Sequence, residues 1–388
     1  MRLKSVHIEK YKNLNDFTLS FDGDSFIDVF VGKNGTGKSN LFEALIEIFR
    51  HIVESRSQIA ETDLSYRIQY EIDGELTEIA WNGSTLSING AERKTTRSAT
   101  LPDNVLIYYS GHNDTVGELV GKYEEKFRDK IKDADFDESR FFVGIGAEYK
   151  ELLIAMLLLQ PEANTARQYI CQKLGVQAVA QEMRLVLERP TYARGKTQFD
   201  IEDRDNDRYW KPKGIAKDFL ERLSKCISLG SGSPIRSEGY FPTEDRYIHY
   251  FDISKIQQEF SDISAQDLFR QFDNLKTLGF LAEISIPLTL AGGVNANISH
   301  FSDGQFQSIY IYSIVEMYKD RNCITLLDEP DSFLHPEWQF DFLKQVFEIT
   351  DTAAKNNHVL MSSHSAVTLI PHDYKKIKFF DIKAVLSG

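Results

Sequence analysis

The stretch Gly32-Lys33-Asn34-Gly35-Thr36-Gly37-Lys38-Ser39 matches the pattern G-x-x-x-x-G-K-[ST] at every fixed position. Residues 25–31 before it are apolar and β-branched, as in a buried strand, and residues 40–53 after it repeat apolar side chains at helical spacing. A strand, a glycine-rich turn and a helix are the context in which this pattern is meaningful. The sequence therefore predicts a phosphate-binding loop.

The residue types in this loop indicate how it would bind phosphate. Glycines let successive backbone N–H groups converge, and the following helix directs its positive end to the same point. A helix end alone contributes only about 0.3–1 kcal/mol, so a triphosphate also needs Lys38 on its β and γ oxygens and Ser39 on Mg²⁺. The predicted nucleotide-binding residues here are Gly32, Asn34, Gly35, Gly37, Lys38, Ser39 and Asn40.

Composition is that of an ordinary water-soluble chain. Its 388 residues are 42% hydrophobic, enough for two or three domains with a substantial core. No apolar run approaches the roughly 18 residues that a membrane span needs, and the polar start at residues 1–4 is no secretory signal. We therefore expect a cytoplasmic protein without a membrane partner.

Cysteine usage and charge limit the function classes further. Cys171, Cys226 and Cys323 are widely separated, so we expect reduced thiols and neither a disulfide framework nor a zinc cluster. The net charge of −13 disfavours a surface that binds nucleic acid everywhere, although a local basic groove is compatible with it. Composition leaves DNA binding open.

The sequence before residue 116 predicts a first lobe, residues 1–115. Alternating stretches in residues 3–21 predict a hairpin beside the phosphate loop. Residues 66–88 predict an antiparallel meander, because Asp-Gly and Asn-Gly turn signals follow its strands. Residues 105–109 predict another buried strand.

Residues 116–284 predict a mainly helical insertion. A strand is expected at 183–187, and a single strand at 284–290 follows the last predicted helix. The charged segment 200–213 shows no apolar periodicity and is predicted to be a solvated loop, because its acidic residues offset its basic ones. Four basic side chains in or near it could otherwise line a nucleic-acid path: Arg194, Lys196, Lys211 and Lys213.

Residues 285–388 predict a second lobe that completes the site. The apolar strand 322–327 delivers Asp328-Glu329 at its carboxyl end, where ligands bind in open α/β sheets. Asp328 is predicted to bind Mg²⁺, and Glu329 to orient or deprotonate an attacking water. Ser302-Asp303-Gly304-Gln305 precedes an apolar helix whose N-terminus could take a phosphate, and a second apolar strand, 359–362, leads to His364.

This order of motifs resembles the ABC-type ATPases of the RecF/SMC/OLD group, over residues 1–115 and 285–388. The resemblance implies an α/β P-loop NTPase fold: an ABC-ATPase head with an antiparallel β lobe and a helical insertion. It also implies that ATP and Mg²⁺ are the cofactors. Two subunits would form a homodimer or a higher oligomer, in which the S-x-G-Q signature of one closes over the ATP of the other.

The resemblance assigns further roles to single residues. Ser302 and Gly304 would contact the partner's γ-phosphate, and residues 331–334 would form the D-loop. His364 would be the switch histidine, catalytic together with Glu329 and Lys38. Lys12 and Asn13 would be nucleotide contacts in the first hairpin. One departure is the loop after residue 109, which offers His112 and Asn113 where the group places a glutamine.

Residues 328–336 look like the D-E-P-x-x-x-L-H-P form of OLD-like ATPases, many of which belong to anti-phage systems such as Gabija, Septu or PARIS. OLD nucleases continue into a TOPRIM domain, whereas this chain ends soon after His364 and carries no recognisable nuclease motif. Either the chain is truncated or the nuclease is a separate protein. The resemblance thus implies an ATPase that regulates a separate effector, with a nuclease in prokaryotic anti-phage defence as the expected case.

Two alternatives stay open. One is a RecF-like, ATP-dependent DNA-binding protein of DNA repair. The other is a scaffold that nucleotide locks into an assembly with little turnover.

Overall fold

The computed structural model describes residues 1–21, 26–32, 35–109, 114–132, 140–202, 208–228, 237–301, 303–331, 356–363 and 377–381. Their strands are β1 Arg2–Tyr11, β2 Leu14–Ser20, β3 Ile27–Val31, β4 Tyr66–Ile72, β5 Glu75–Trp81, β6 Leu86–Ile88, β7 Ala91–Arg93, β8 Asn104–Tyr109, β9 Phe142–Ile145, β10 Val176–Val179, β11 Glu182–Glu188, β12 Gly239–Phe241, β13 Arg246–Asp252, β14 Leu281–Ser285, β15 Leu288–Leu290, β16 Val294–Ala296, β17 Cys323–Asp328, β18 Asn357–Ser363 and β19 Ile377–Asp381. Their α-helices are α1 Lys38–Glu54, α2 Asp114–Ile131, α3 Lys150–Leu158, α4 Thr165–Leu174, α5 Gly214–Ser224, α6 Ile253–Glu259, α7 Ala265–Leu278 and α8 Asp303–Tyr318.

The chain divides into two compact units. The first comprises residues 1–120, 141–147 and 318–388, and the second comprises residues 121–140 and 148–317. The boundary drawn from sequence at residue 285 therefore falls inside the second unit, which extends to Met317.

A parallel sheet in the first unit has the strand order β19-β3-β18-β17-β8-β9. Every residue of β17 and β18 is buried, which is why neither strand shows the alternation of apolar and polar residues that a half-exposed strand has. Since β3, β18 and β17 are paired in parallel, their carboxyl ends lie at one edge of the sheet. Val31, Ser363 and Asp328 mark that edge.

Helix α1 continues from β3 through the glycine-rich turn. Leu41, Leu45, Ile48 and Ile52 recur at helical spacing and are fully buried. Burying each such side chain contributes roughly 1.5–3 kcal/mol, so packing of this stripe holds the helix and its N-terminus in place. The predicted strand, turn and helix are confirmed.

The antiparallel sheet of the first unit has the order β2-β1-β4-β5-β6-β7. The predicted hairpin at 3–21 forms β1 and β2, and the predicted meander forms β4 to β6 with β7 added. At the turn between β4 and β5, Asp73 and Gly74 have φ angles of 51° and 83°. Two successive positive φ angles suit a tight hairpin turn, which explains the Asp-Gly signal.

The second unit contains more sheet than the sequence predicted. Strands β12-β13-β11-β14 form one antiparallel sheet, and β10-β15-β16 form a smaller one. The predicted strand at 284–290 is two strands, β14 and β15, which belong to different sheets. Pro287 stands between them, and a proline cannot donate to a ladder, so the prediction of one strand was wrong.

The prediction of a solvated loop over 200–213 was also wrong in part. Tyr209 and Trp210 are buried, and the Trp210 indole N–H donates to Asp245 Oδ1 at 2.7 Å. Two isolated aromatic residues give no periodic signal, so the charge of their neighbours dominated the sequence pattern. Among the helices that the structure describes, none is both long and apolar enough to span a bilayer.

Candidate nucleotide-binding site

The glycine-rich turn has the backbone geometry that its sequence predicted. Gly37 precedes the first residue of α1 with φ 103°, a conformation that favours glycine. A Cβ at this position would lie 2.8 Å from Asn13 Nδ2, so the hairpin between β1 and β2 closes over the loop. A Cβ at Gly32 would lie 2.8 Å from Thr36 Oγ1. A Cβ at either position would force the neighbouring side chain to move, and the positive φ angles of Gly32 and Gly37 favour glycine at both.

Lys38 is the buried cation of the site. Its side chain lies at the start of α1, the residue is only 4% exposed, and Nζ donates to the Gly32 carbonyl oxygen at 2.7 Å. Burial lowers the pKa of Lys38, while the carboxylates of Glu329, Asp328 and Asp331 act in the opposite direction. The ammonium is therefore held within the loop and within electrostatic reach of the residues after β17.

Ser39 and Asp328 meet across the sheet edge. Ser39 Oγ donates to Asp328 Oδ1 at 3.1 Å, although the two residues are 289 positions apart in the chain. Asp328 is the last residue of β17 and is 4% exposed. The predicted hydroxyl and carboxylate of the Mg²⁺ site are thus brought together.

The end of β18 supplies two serines that the sequence analysis did not identify. Ser362 Oγ donates to Asp328 Oδ1 at 2.7 Å and accepts from the backbone N–H of Glu329 at 2.9 Å. Ser363 Oγ donates to Asp331 Oδ2 at 2.6 Å. The available signal was positional, because polar residues at the carboxyl end of a parallel strand lie where ligands bind.

Glu329 has an unusual backbone. Its φ is 49°, in the left-handed region that non-glycine residues seldom adopt. Such a conformation costs on the order of 1–3 kcal/mol and persists only where surrounding contacts enforce it. The hydrogen bond from Glu329 N–H to Ser362 is one such contact.

The first hairpin places its predicted residues beside α1. Lys12 Nζ forms an ion pair with the buried carboxylate of Glu43, and the Tyr11 hydroxyl donates to the same oxygen at 3.1 Å. Burial, followed by the Glu43 charge, raises the pKa of Tyr11. Asn13 Oδ1 accepts from Asn40 Nδ2 at 2.6 Å. Nucleotide contact by Lys12, Asn13 and Asn40 stays a prediction.

Several predicted positions lie outside the described residues: Asn34, His112, Asn113, Ser302, His364 and D-loop residues 332–334. Gly304 lies in the first turn of α8, in the second unit. Their predicted roles therefore stay predictions. Gly35 is described, with φ 83° in the loop.

The residues present fit ATP and Mg²⁺. Thr36 Oγ1 is buried and has no hydrogen-bond partner among the described residues, so the loop contains a donor suited to a phosphate oxygen. Lys38 adds a buried positive charge. Ser39 and Asp328 present a hydroxyl and a carboxylate, oxygen ligands that Mg²⁺ prefers. The donor set thus matches a phosphate chain with a divalent cation.

The fold and the site define a P-loop NTPase with an ABC-ATPase-like fold, as predicted. More specifically, the chain belongs to the family described as "AAA domain, putative AbiEii toxin, Type IV TA system", whose model matches residues 29–370.

Solved structures of distant proteins are also similar. The SMC head domain from Thermotoga maritima is 12% identical with a TM-score of 0.39, over 95% of this chain and 91% of that chain. The recombination mediator RecF, from a structure titled RecF-ATPrS in the RecFOR pathway, is 14% identical with a TM-score of 0.36, over 98% and 96%. An Smc head domain bound to the C-terminal domain of ScpA, from Pyrococcus furiosus, is 13% identical with a TM-score of 0.37, over 95% and 91%. No curated protein sequence matches the chain.

Proposed function

We propose that this protein is an ATP- and Mg²⁺-dependent ATPase that transfers the γ-phosphoryl group to water. The observation that carries the proposal is the 3.1 Å contact between Ser39 Oγ and Asp328 Oδ1 beside the buried Lys38 ammonium. The hydroxyl follows Lys38 directly at the start of α1, and the carboxylate that it contacts lies 289 positions away in the chain. Membership in an AAA-domain family supports the same activity.

Each residue has a role in this mechanism. The loop and Lys38 bind the phosphates and offset their negative charge. Ser39 and Asp328 would hold Mg²⁺, which when bound neutralises charge on the phosphate oxygens. Glu329 orients the attacking water and accepts its proton. Because phosphoryl transfer needs mainly positioning and charge stabilisation, the enforced backbone of Glu329 is consistent with this task.

Two variants separate binding from turnover. Glu329→Gln should bind ATP with wild-type affinity and lose at least about 10²-fold in phosphate release. Lys38→Ala should lose nucleotide binding itself, measured with a fluorescent ATP analogue. Wild-type turnover in Glu329→Gln would remove Glu329 from the mechanism. Stoichiometric binding by the wild-type chain without phosphate release would favour the scaffold alternative.

We further propose that ATP drives dimerisation and that the dimer controls a separate effector, with a nuclease in anti-phage defence as the leading case. Support comes from the S-x-G-Q motif at residues 302–305 and from the family description, which names a toxin and a toxin–antitoxin system. In this proposal Ser302 and Gly304 complete the site of the partner subunit, and His364 is the switch histidine that acts together with Glu329 and Lys38.

The dimer is tested by the mass of Glu329→Gln with and without ATP and Mg²⁺, since this variant should trap the ATP state. Ser302→Arg should prevent the increase in mass while leaving ATP bound. The effector is tested by co-purifying the chain with the products of flanking genes and assaying plasmid cleavage. Cleavage by the chain alone would contradict the separate-effector proposal.

A second candidate function is ATP-dependent DNA binding. One observation favours it: the second unit contains a cavity of about 460 Å³ whose lining includes Arg208 and Lys211, together with Lys217 paired to Glu221. Cationic side chains contact phosphates, and such binding weakens steeply with salt. ATP-dependent, salt-sensitive binding of duplex DNA, reduced in Lys211→Ala, would support this function. DNA binding that does not depend on ATP and is unchanged in Lys211→Ala would count against this function.

A further inference from the structure

Ser362 has no role in the motifs considered so far, yet its hydroxyl lies between two residues of the site. The side chain is fully buried at the end of β18. It donates to Asp328 Oδ1 at 2.7 Å and accepts from Glu329 N–H at 2.9 Å. We infer that Ser362 is a positioning residue that holds both the metal-binding carboxylate and the backbone of the water-orienting glutamate. This inference rests on the ATPase function proposed above.

The geometry requires a group that both donates and accepts. A hydroxyl has one O–H donor and two acceptor lone pairs, whereas an apolar side chain has neither. Ser362 uses both capacities, one toward a carboxylate and the other toward a backbone amide. A bond to an ionised group is stronger than a neutral one, so the Asp328 contact should dominate.

The Glu329 contact carries a separate consequence. Because Glu329 has φ 49°, its backbone would relax toward ordinary regions if the surrounding contacts weakened. Such a change would redirect the Glu329 side chain away from the position that it needs for the water. Loss of the Ser362 hydroxyl should therefore impair turnover more than ATP binding.

Asp328 is also held from two sides. Ser39, at the start of α1, and Ser362, at the end of β18, donate to the same oxygen, Oδ1. The first hydroxyl belongs to the phosphate loop, and the second belongs to the neighbouring strand. Partners of metal ligands typically affect metal affinity by 10- to 100-fold when they are removed. Ser362 should thus influence how strongly the site depends on Mg²⁺.

The test compares Ser362→Ala, Ser362→Thr and Ser55→Ala in the full chain. Ser55 is a matched control, because it is fully buried in the same unit and its Oγ accepts from the Ala60 N–H at 3.0 Å. Two quantities are measured: kcat and KM for ATP hydrolysis, and the Mg²⁺ concentration that half-saturates binding of a fluorescent ATP analogue.

We expect Ser362→Ala to lower kcat by about 10- to 100-fold and to raise the half-saturating Mg²⁺ concentration about tenfold. KM for ATP in excess Mg²⁺ should stay within about threefold of wild type, because the phosphate loop is untouched. Ser362→Thr keeps the hydroxyl, so its kcat and its half-saturating Mg²⁺ concentration should both lie close to those of wild type. Ser55→Ala should match wild type in both.

Wild-type kcat and Mg²⁺ dependence in Ser362→Ala would overturn the inference. If that variant does not fold, Ser362→Cys provides the test, since a thiol is a weak donor and acceptor of similar size. Intermediate losses in Ser362→Cys support the inference, and wild-type behaviour overturns it.

The two proposals can fail separately. If the wild-type chain binds ATP but releases no phosphate, the proposed hydrolysis fails, and the Mg²⁺ dependence of binding still tests Ser362. An unchanged Mg²⁺ requirement in Ser362→Ala then overturns the positioning role. A wild-type chain that binds no nucleotide overturns both proposals.

Discussion

The two ends of strand β18 both carry buried polar side chains, but their partners differ. At the amino end, His358 Nδ1 accepts from Leu3 N–H at 3.0 Å, so the proton lies on Nε2, which donates to Asp28 at 2.7 Å. At the carboxyl end, Ser362 and Ser363 donate to carboxylates of the segment that follows β17. One end joins strands of the core, and the other joins the residues of the candidate site.

This difference teaches that burial and hydrogen bonding do not distinguish structural from functional polar groups. Asp28 and Asp328 are both nearly inaccessible to solvent. Asp28 is on β3, within the parallel sheet, whereas Asp328 ends its strand beside the phosphate loop. Position at the carboxyl edge of the sheet therefore distinguishes Asp328, the carboxylate that we propose binds Mg²⁺, from Asp28.

The largest expected contrast is in ATP turnover, between an Asp→Asn substitution beside the carboxyl end of β18 and one beside its amino end. Asp328→Asn keeps an acceptor for both serines but loses the charge that would bind Mg²⁺, so ATP turnover should fall roughly 10²–10³-fold. Asp28→Asn keeps an acceptor for His358 and should leave turnover within about twofold. Phosphate release at saturating ATP and Mg²⁺ measures both. Equal losses in the two variants would remove the proposed distinction.

Removing the Asp28 side chain, which contacts His358 at the amino end of β18, should affect stability instead of activity. Asp28→Ala leaves the His358 Nε2–H without its acceptor in a buried site, at a cost of about 1–3 kcal/mol. Urea unfolding followed by circular dichroism measures the change, with Asp28→Asn as the milder control. An unchanged unfolding midpoint in Asp28→Ala would show that this pair does not stabilise the fold.

Lowering the pH should reduce the free energy of unfolding through His358, at the amino end of β18, by a smaller amount. Burial lowers the pKa of His358 below its ordinary value of 6.5, with Asp28 opposing the shift and Arg2 adding to it. The folded state keeps this histidine neutral, whereas the unfolded chain protonates it near pH 6.5. Stability is therefore present above that pH and is lost as the pH falls below it, by at most about 1.4 kcal/mol per pH unit.

The pH effect has further contributors and a control. Burial also lowers the pKa of His51 in α1, to about 4, so His51 adds to the loss between pH 6.5 and that value. His358→Gln should flatten the pH dependence of stability by about one proton while keeping the contributions of His51 and of His249, whose pKa burial also lowers to about 4. Urea unfolding between about pH 7 and pH 5 measures both slopes. Identical slopes in wild type and His358→Gln would assign the acid sensitivity elsewhere.

Much of the nucleotide-binding half was predictable from sequence, because its signals are local. The glycine-rich turn, the apolar stripe of α1 and the apolar run before Asp328 each lie within a short window. The resemblance to ABC-type ATPases then supplied the fold class. In the second unit, strands such as β12 are too short to give a clear local pattern, and the apolar run around Pro287 did not show that it is broken into two strands. The sheets of this unit were therefore missed.

The contacts of single side chains were less predictable. Nucleotide contact by Lys12 stays a prediction, and the ion pair of its ammonium with Glu43 of α1 was not foreseen from the sequence. Trp210 was assigned to a solvated loop, yet it is fully buried with its indole on Asp245. In both cases the partner is distant in sequence, and no local pattern names it.

The sequence by itself determined that a phosphate loop lies between a strand and a helix, and that an acidic pair ends a buried strand. Spacing and apolar periodicity are enough for this, since each reflects the geometry of a single element. Only the tertiary structure decided which side chains meet. Parallel pairing of β17 with β18 sets Asp328 beside Ser362, and the start of α1 brings Ser39 to the same oxygen. Those contacts depend on the register of distant strands, which the packing of the whole sheet establishes.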